Sequence, residues 1–486
     1  MLFNSYEFLF GYLPLVLGVF MLLARLGQRQ LAAAWLALGS VVFYGWWAPE
    51  YLALLLGSIT ANYLFGRAIA TRALESRSTQ PLLGLAVAAN LGLLAYYKYA
   101  NFFLDTVRTL SGAPLPGLDV VLPIGISFFT FTQIAFLVDC HEGKVRESNP
   151  VHYLLFVTYF PHLIAGPVLH HKEMMPQFGE KQTYRWVPEH IVIGASFFAI
   201  GLFKKVVLAD GIQPWVAPVF DGGAAPDGIS AWGAALAYTL QLYFDFSAYS
   251  DMAVGLSKLF NVDLPLNFNS PYKSRNISEF WRRWHMTLSR FLRDYLYIRL
   301  GGNRHGNARR QVNLMTTMLL GGLWHGAGWT FVIWGGLHGL YLVINHSWSD
   351  WRERLSLPVG LAERILAHAL TLAAVVVAWV FFRAHSLDDA LRVLSGMAGL
   401  QGWQPADGVA WRQWGWIAAL GALALWSPNS QEIVGRWVAG AGQASRSLAQ
   451  RPLLRWMLLG ALLMGCVLLA VVNGSRGVSE FIYFNF

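Results

Sequence analysis

Charge is scarce in this chain. Only 13% of its 486 residues are Asp, Glu, Lys or Arg, about half the ~25% of an ordinary soluble domain. That poverty excludes a disordered chain, a nucleic-acid-binding domain and a typical cytosolic enzyme. Cysteine is nearly absent as well. Cys140 and Cys466 are the whole supply, each inside an apolar run, so a disulfide framework or a zinc site is not expected. The start Met1–Leu2–Phe3–Asn4 lacks a basic region and a small-residue cleavage site. The first apolar run therefore reads as a retained span, not a signal peptide. No phosphate loop, GxSxG elbow or HExxH is present, and neither an internal repeat nor a low-complexity segment occurs.

Apolar surface fills the space that charge leaves. Hydrophobic residues make up 55% of the chain, and the mean hydropathy is +0.43. A soluble core cannot hide that much, so a lipid bilayer must be part of the solvent. The 21 Trp, 19 Tyr and 31 Phe suit aromatic belts at two membrane interfaces. Runs near spanning length occur at 7–24, 31–47, 50–70, 81–100, 120–139, 189–208, 229–250, 312–346, 365–382, 412–427 and 455–473. The expected fold is an all-α polytopic membrane protein with about eleven spans, forming one transmembrane domain over 1–486.

What charge there is collects in one place. Residues 258–311 hold eleven basic side chains against Asp263, Glu279 and Asp294, which leaves +8 of the chain's +9. By the positive-inside rule this stretch is a cytoplasmic insert. Its basic side chains also suit an anionic ligand from the cytosol. Arg25, Arg29, Arg67, Arg72 and Arg77 put two earlier loops on the same side and the N-terminus outside. Arg436, Arg446 and Arg451 fall in a loop that the same count places outside. Within the insert, Phe280, Trp284, Leu288, Phe291, Tyr295 and Ile298 form an i, i+3, i+4 stripe. That spacing predicts an amphipathic helix lying at the interface. The apolar segment 151–168 is interrupted by Pro161, Gly166 and Pro167 and flanked by basic loops. It reads either as a re-entrant segment or as a kinked span.

Two segments carry candidate chemistry. The first runs Leu323–Trp324–His325–Gly326–Ala327–Gly328 and continues to Trp334–Gly335–Gly336–Leu337–His338–Gly339. Ionisable groups in an apolar run are costly and usually functional. A straight helix over 312–346 would be about 52 Å long, against a hydrocarbon core of about 30 Å. A break at Gly326–Gly328 is therefore expected, with His325 ending a half-helix of about 21 Å. An imidazole there can take a proton from a hydroxyl nucleophile, or it can be a hydrogen-bonded packing residue. The second segment holds Gln241, Asp245 and Tyr249 on one helical face by i, i+4 spacing. That face should look into the bundle or a cavity, where Asp245 can orient a cation or lock the packing.

Several blocks resemble the membrane-bound O-acyltransferase family, in particular its bacterial branch that acetylates exopolysaccharides such as alginate. They are Leu122–Pro123–Ile124–Gly125–Ile126–Ser127–Phe128, Phe160–Pro161–His162–Leu163–Ile164–Ala165–Gly166–Pro167 and Gln241–Leu242–Tyr243–Phe244–Asp245–Phe246–Ser247. Tyr249–Ser250–Asp251–Met252–Ala253, Glu279–Phe280–Trp281–Arg282–Arg283–Trp284–His285, Arg293–Asp294–Tyr295–Leu296–Tyr297, Gly301–Gly302–Asn303–Arg304 and Leu323–Trp324–His325–Gly326 complete them. The resemblance implies a helical bundle with re-entrant and interfacial helices around a central tunnel. It implies His325 as the catalytic base and His338 as the second histidine of the site. Asp245, Gln241, Tyr249 and Trp324 would line the tunnel or bind substrate, and Arg282, Arg283 and Arg304 would hold the donor's phosphates. It further implies acetyl-CoA as the cytosolic acetyl donor, no permanently bound cofactor and no metal. Expected partners are a periplasmic acetyltransferase and a polysaccharide synthase complex at the bacterial inner membrane, with no nucleic acid. At His170 the alginate branch usually carries an arginine, so alginate, cellulose or a similar exopolysaccharide remains open as the acceptor. The alternative from a different class is a polytopic transporter or flippase for a polar solute, and missing hydropathy symmetry argues against it. A non-catalytic membrane anchor is a third reading, and the buried histidines count against it.

Overall fold

The computed structural model describes residues 1–75, 77–145, 149–355, 360–403, 410–437, 452–477 and 479–485. Arg446 and Arg451, on which part of the expected topology rests, lie outside the described residues. All regular elements among the described residues are helical. Helical segments lie within each of the eleven apolar runs, although in the run 120–139 the helix begins only at Ile126. Among the described residues, five helical stretches are long and apolar enough to cross a membrane: Glu7–Arg25, Pro49–Leu74, Gln80–Ser111, Pro188–Phe220 and Leu361–Arg383. The chain is a multi-pass membrane protein.

Two compact units are formed. The first comprises Met1–Leu202, Tyr249–Pro265 and Val434–Asn485, and the second comprises Phe203–Ala248 and Leu266–Ile433. The helix Gly228–Leu259 contributes residues to both.

In the first unit, aromatic side chains supply the core. Phe3, Phe8, Tyr12, Phe43 and Phe160 are buried and meet in edge-on and tilted pairs such as Tyr12–Phe160 at 5.3 Å. Polar side chains between its helices meet partners, as an apolar solvent demands. Asn62 and Asn90 exchange amide hydrogen bonds of 3.1 and 2.6 Å between neighbouring helices. Gly194 and Gly255 let two helices touch: a Cβ on Gly255 would stand 2.5 Å from the Gly194 carbonyl oxygen. Segment 151–168 is helical only over Pro150–Thr158 and then runs irregularly. Phe160, Leu163, Ile164 and Ala165 of the irregular part are buried in protein, which is where such backbone is tolerated at membrane depth.

In the second unit, a helical hairpin dominates. Gly306–His325 and Trp329–Leu355 pack side by side along their length. Glycines make that possible. A Cβ on Gly322 would lie 2.3 Å from the Phe331 carbonyl oxygen, and one on Gly335 would lie 2.4 Å from that of Met318. The first hairpin helix starts at Gly306, not near 312. Its 20 residues span about 30 Å, not the expected 21 Å. The polar residues Asn307 to Gln311 extend the helix before its apolar part begins. Outside the spans, Ser386 caps the helix Leu387–Met397 by accepting from the Asp389 backbone at 3.1 Å. Its hydroxyl donates to the Asp389 carboxylate and holds that group below its ordinary pKa.

The expected interfacial helix requires correction. The stripe from Phe280 to Ile298 is not one helix. It breaks into Ile277–Trp281, Met286–Leu292 and a π turn over Arg293–Tyr297. His285 causes the break, with φ +42° in the left-handed region. Phe280, Trp284, Leu288 and Phe291 are buried, so this apolar face packs against protein. The period matched a helix, but a single residue redirected the chain.

Candidate active site

The hairpin's turn positions His325. The helix ends on this residue, and Gly326 continues in an extended conformation with φ −158° and ψ 149°. Only glycine fits at 326, because a Cβ would stand 2.1 Å from the Phe331 ring. The His325 imidazole is buried, 4% exposed. Three rings enclose it edge to face: Trp324 at 4.9 Å, Trp334 at 5.0 Å and Phe382 at 5.3 Å. An imidazole in such an apolar box, next to a glycine turn, suits proton transfer at a shielded reacting group.

His338 lies further along the second hairpin helix, four residues after Trp334. It is fully buried, with Trp334 at 4.9 Å and Trp281 at 5.1 Å from its ring. Trp334 thus touches both histidines. The Trp281 indole N–H donates to His338 Nδ1 at 3.3 Å.

A third histidine joins them that sequence reasoning left outside the site. His285 sits with its ring 6.4 Å from that of His325 and 6.2 Å from that of Trp324. Asn267 anchors it. The Asn267 side-chain oxygen accepts from the Thr287 hydroxyl at 2.9 Å and the Thr287 backbone at 3.3 Å, and it lies 3.1 Å from His285 Nδ1. An amide oxygen can only accept, so Nδ1 carries the proton and, in a neutral ring, Nε2 keeps its lone pair. The signal available in the sequence was His285 at the end of an aromatic and cationic run. Nothing local revealed the left-handed turn that aims it inward.

Gln241 and Asp245 are buried on the helix Gly228–Leu259. The cation that Asp245 orients is a lysine. Lys205 Nζ stands 2.8 Å from Asp245 and 2.9 Å from Asp210. A buried cation between two carboxylates is a paired arrangement, which burial requires. Tyr249, on the same helical face, belongs to the first unit, where it stacks on Phe3 at 5.0 Å. Arg283 is held by Glu279 at 2.9 Å and by the Asn269 carbonyl at 3.2 Å. Arg282 and Arg304 are exposed, and no contact joins Arg304 to Arg282 or Arg283 among the described residues. The Gly301–Gly302 turn that carries Arg304 has φ values of +105° and +56°. It is tied to the hairpin by Asn313, which donates to the Gly302 carbonyl at 2.9 Å.

The sequence model of the membrane-bound O-acyltransferase family matches residues 118–382, which include every element of this site. The chain belongs to that family. It is similar to a peptidoglycan O-acetyltransferase of Helicobacter pylori, 43% identical over 434 residues, covering 83% of this chain and 80% of the relative. A probable alginate O-acetylase of Pseudomonas aeruginosa is 41% identical over 415 residues, covering 84% and 76%. A teichoic acid D-alanyltransferase of Bacillus subtilis is 26% identical over 269 residues, covering 53% and 67%. This membrane-bound O-acyltransferase is therefore an enzyme, which displaces the transporter and anchor readings.

Proposed function

We propose that this acyltransferase takes an acetyl group from cytosolic acetyl-CoA and passes it through a central tunnel for O-acetylation of an extracytoplasmic glycopolymer. The acceptor class is a polysaccharide of the alginate, cellulose or peptidoglycan kind. A periplasmic acetyltransferase receives the group or completes the transfer, in company with the polymer's synthase complex at the bacterial inner membrane. The observation that carries this reading is the enclosure of His325 at a helix end by Trp324, Trp334 and Phe382. Thioester chemistry needs a base in a site from which water is excluded, and the names of the similar proteins supply the acetyl group and the polymer class.

The steps follow from the atoms. His325 takes the proton of the attacking hydroxyl as its oxygen bonds to the thioester carbonyl carbon. The tetrahedral intermediate then expels the thiolate, and the imidazolium returns the proton to sulfur. Gln241, Asp245 and Trp324 line or shape the path, while Arg282, Arg283 and Arg304 attract the donor's phosphates from the basic side. Purified protein supplied with acetyl-CoA and a hydroxyl acceptor should release CoA, and His325→Ala should not. No CoA release by the folded wild-type protein would sink the reading.

A further inference from the structure

His338 and Trp281 form a pair whose chemistry is decided by one hydrogen bond. The indole nitrogen can only donate, so His338 Nδ1 must accept. In a neutral imidazole the other nitrogen then carries the proton. His338 Nε2 is buried and has no hydrogen-bond partner among the described residues. The groups packed on its ring are aromatic: Phe280, Trp281, Trp334, Tyr341 and Trp379. A buried N–H facing such a lining is costly unless it meets an acceptor.

Helix pairing locates this N–H relative to His325. Gly335 faces Met318 and Gly322, and Gly339 faces Met315. His338 is therefore level with residues about two turns before His325 on the neighbouring helix, roughly 10 Å toward the helix's basic end. That is the side from which a donor bearing phosphates would enter. A base at His325 and a fixed N–H set back along the donor's path have different tasks.

We propose that His338 is a hydrogen-bond donor to a carbonyl oxygen on the thioester-bearing arm of the acyl donor, and that Trp281 positions it by fixing its tautomer. The inference rests on the donor class given under Proposed function. His338 thereby binds and aligns the arm and does not exchange a proton with the acceptor. Trp281 acts only through His338.

The test uses the purified full-length protein in lipid nanodiscs, with acetyl-CoA as the varied substrate. H338Q keeps a side-chain N–H but cannot serve as a base, whereas H338L loses both capacities. H338L should raise the KM for acetyl-CoA about tenfold, the worth of one buried hydrogen bond. H338Q should stay within about threefold of wild type. W281F should raise KM about three- to tenfold when His338 is present, and by less than about twofold further in the H338Q background. Thermal melting of each variant checks folding, and the H338Q and W281F comparison stands without H338L. Equal impairment of H338Q and H338L would overturn the donor role. An undiminished W281F penalty in the H338Q background would reduce Trp281 to packing. Wild-type protein that does not turn over acetyl-CoA would instead remove the functional reading, and this inference with it.

Discussion

His325 and Trp334 lie edge to face at 5.0 Å, with their ring planes 83° apart, across the turn of a glycine-lined hairpin. The indole edge confines the imidazole on one side while Trp324 and Phe382 confine it on others. The same Trp334 also touches His338 at 4.9 Å. One tryptophan therefore contacts two histidines that occupy different levels of one hairpin.

The first expectation concerns that imidazole. His325→Ala should lower acetyl transfer by about 10²–10⁴-fold, the usual contribution of a general base, while the protein still inserts and melts cooperatively. CoA release by purified protein and polymer acetylation in cells are the two readouts. Near wild-type rates would return His325 to a packing role.

Arg304 separates donor binding from topology. It is exposed in a turn tied to the hairpin. If it meets a phosphate of the donor, Arg304→Ala should cost about 1.5–3 kcal/mol of donor binding, the range for charge-assisted hydrogen bonds. Unchanged acetyl-CoA kinetics would leave only its part in membrane orientation.

Hairpin packing can be probed with adjacent glycines. A Cβ at Gly335 would meet the Met318 carbonyl at 2.4 Å, whereas one at Gly336 would meet only a Leu319 methyl at 3.6 Å. Gly335→Ala should destabilise the protein and reduce activity, because backbone must move. Gly336→Ala should be close to neutral in both. Melting temperature and activity of the two variants decide it, and equal behaviour would contradict the close crossing.

Buried Lys205 pairs with buried Asp245 and with the partly exposed Asp210. Lys205→Met should cost about 3–5 kcal/mol, the range for breaking a buried ion pair. Adding Asp245→Asn should recover part of that loss by removing one stranded charge. Thermal unfolding in detergent measures both, and a stable single variant would mean that water reaches the cluster.

Topology has its own test. Asn303 lies exposed in the basic insert. A cysteine placed there, in a chain whose Cys140 and Cys466 are replaced, should react with an impermeant reagent only after the membrane is opened. Labelling in intact cells from the periplasmic side would reverse the assigned orientation.

Sequence alone determined the class of this protein and the segments in which its apolar helices fall, but not the broken path of the stripe from Phe280 to Ile298. Low charge and eleven apolar runs dictate helices in lipid, because a backbone without water must satisfy its own hydrogen bonds. A 35-residue run that exceeds the bilayer, with glycines after His325, dictates a turn at Gly326. These are local or one-dimensional properties, so periodicity and composition suffice. Tertiary structure decided the rest. The left-handed turn at His285 splits a stripe whose period fits a continuous helix, and it aims a third imidazole at His325. Lys205 reaches Asp245 from forty residues away, and Trp281 reaches His338 from fifty-seven. Such partners are chosen by which helix faces meet, and helix packing depends on side chains far apart in the chain. No spacing within one segment encodes that choice.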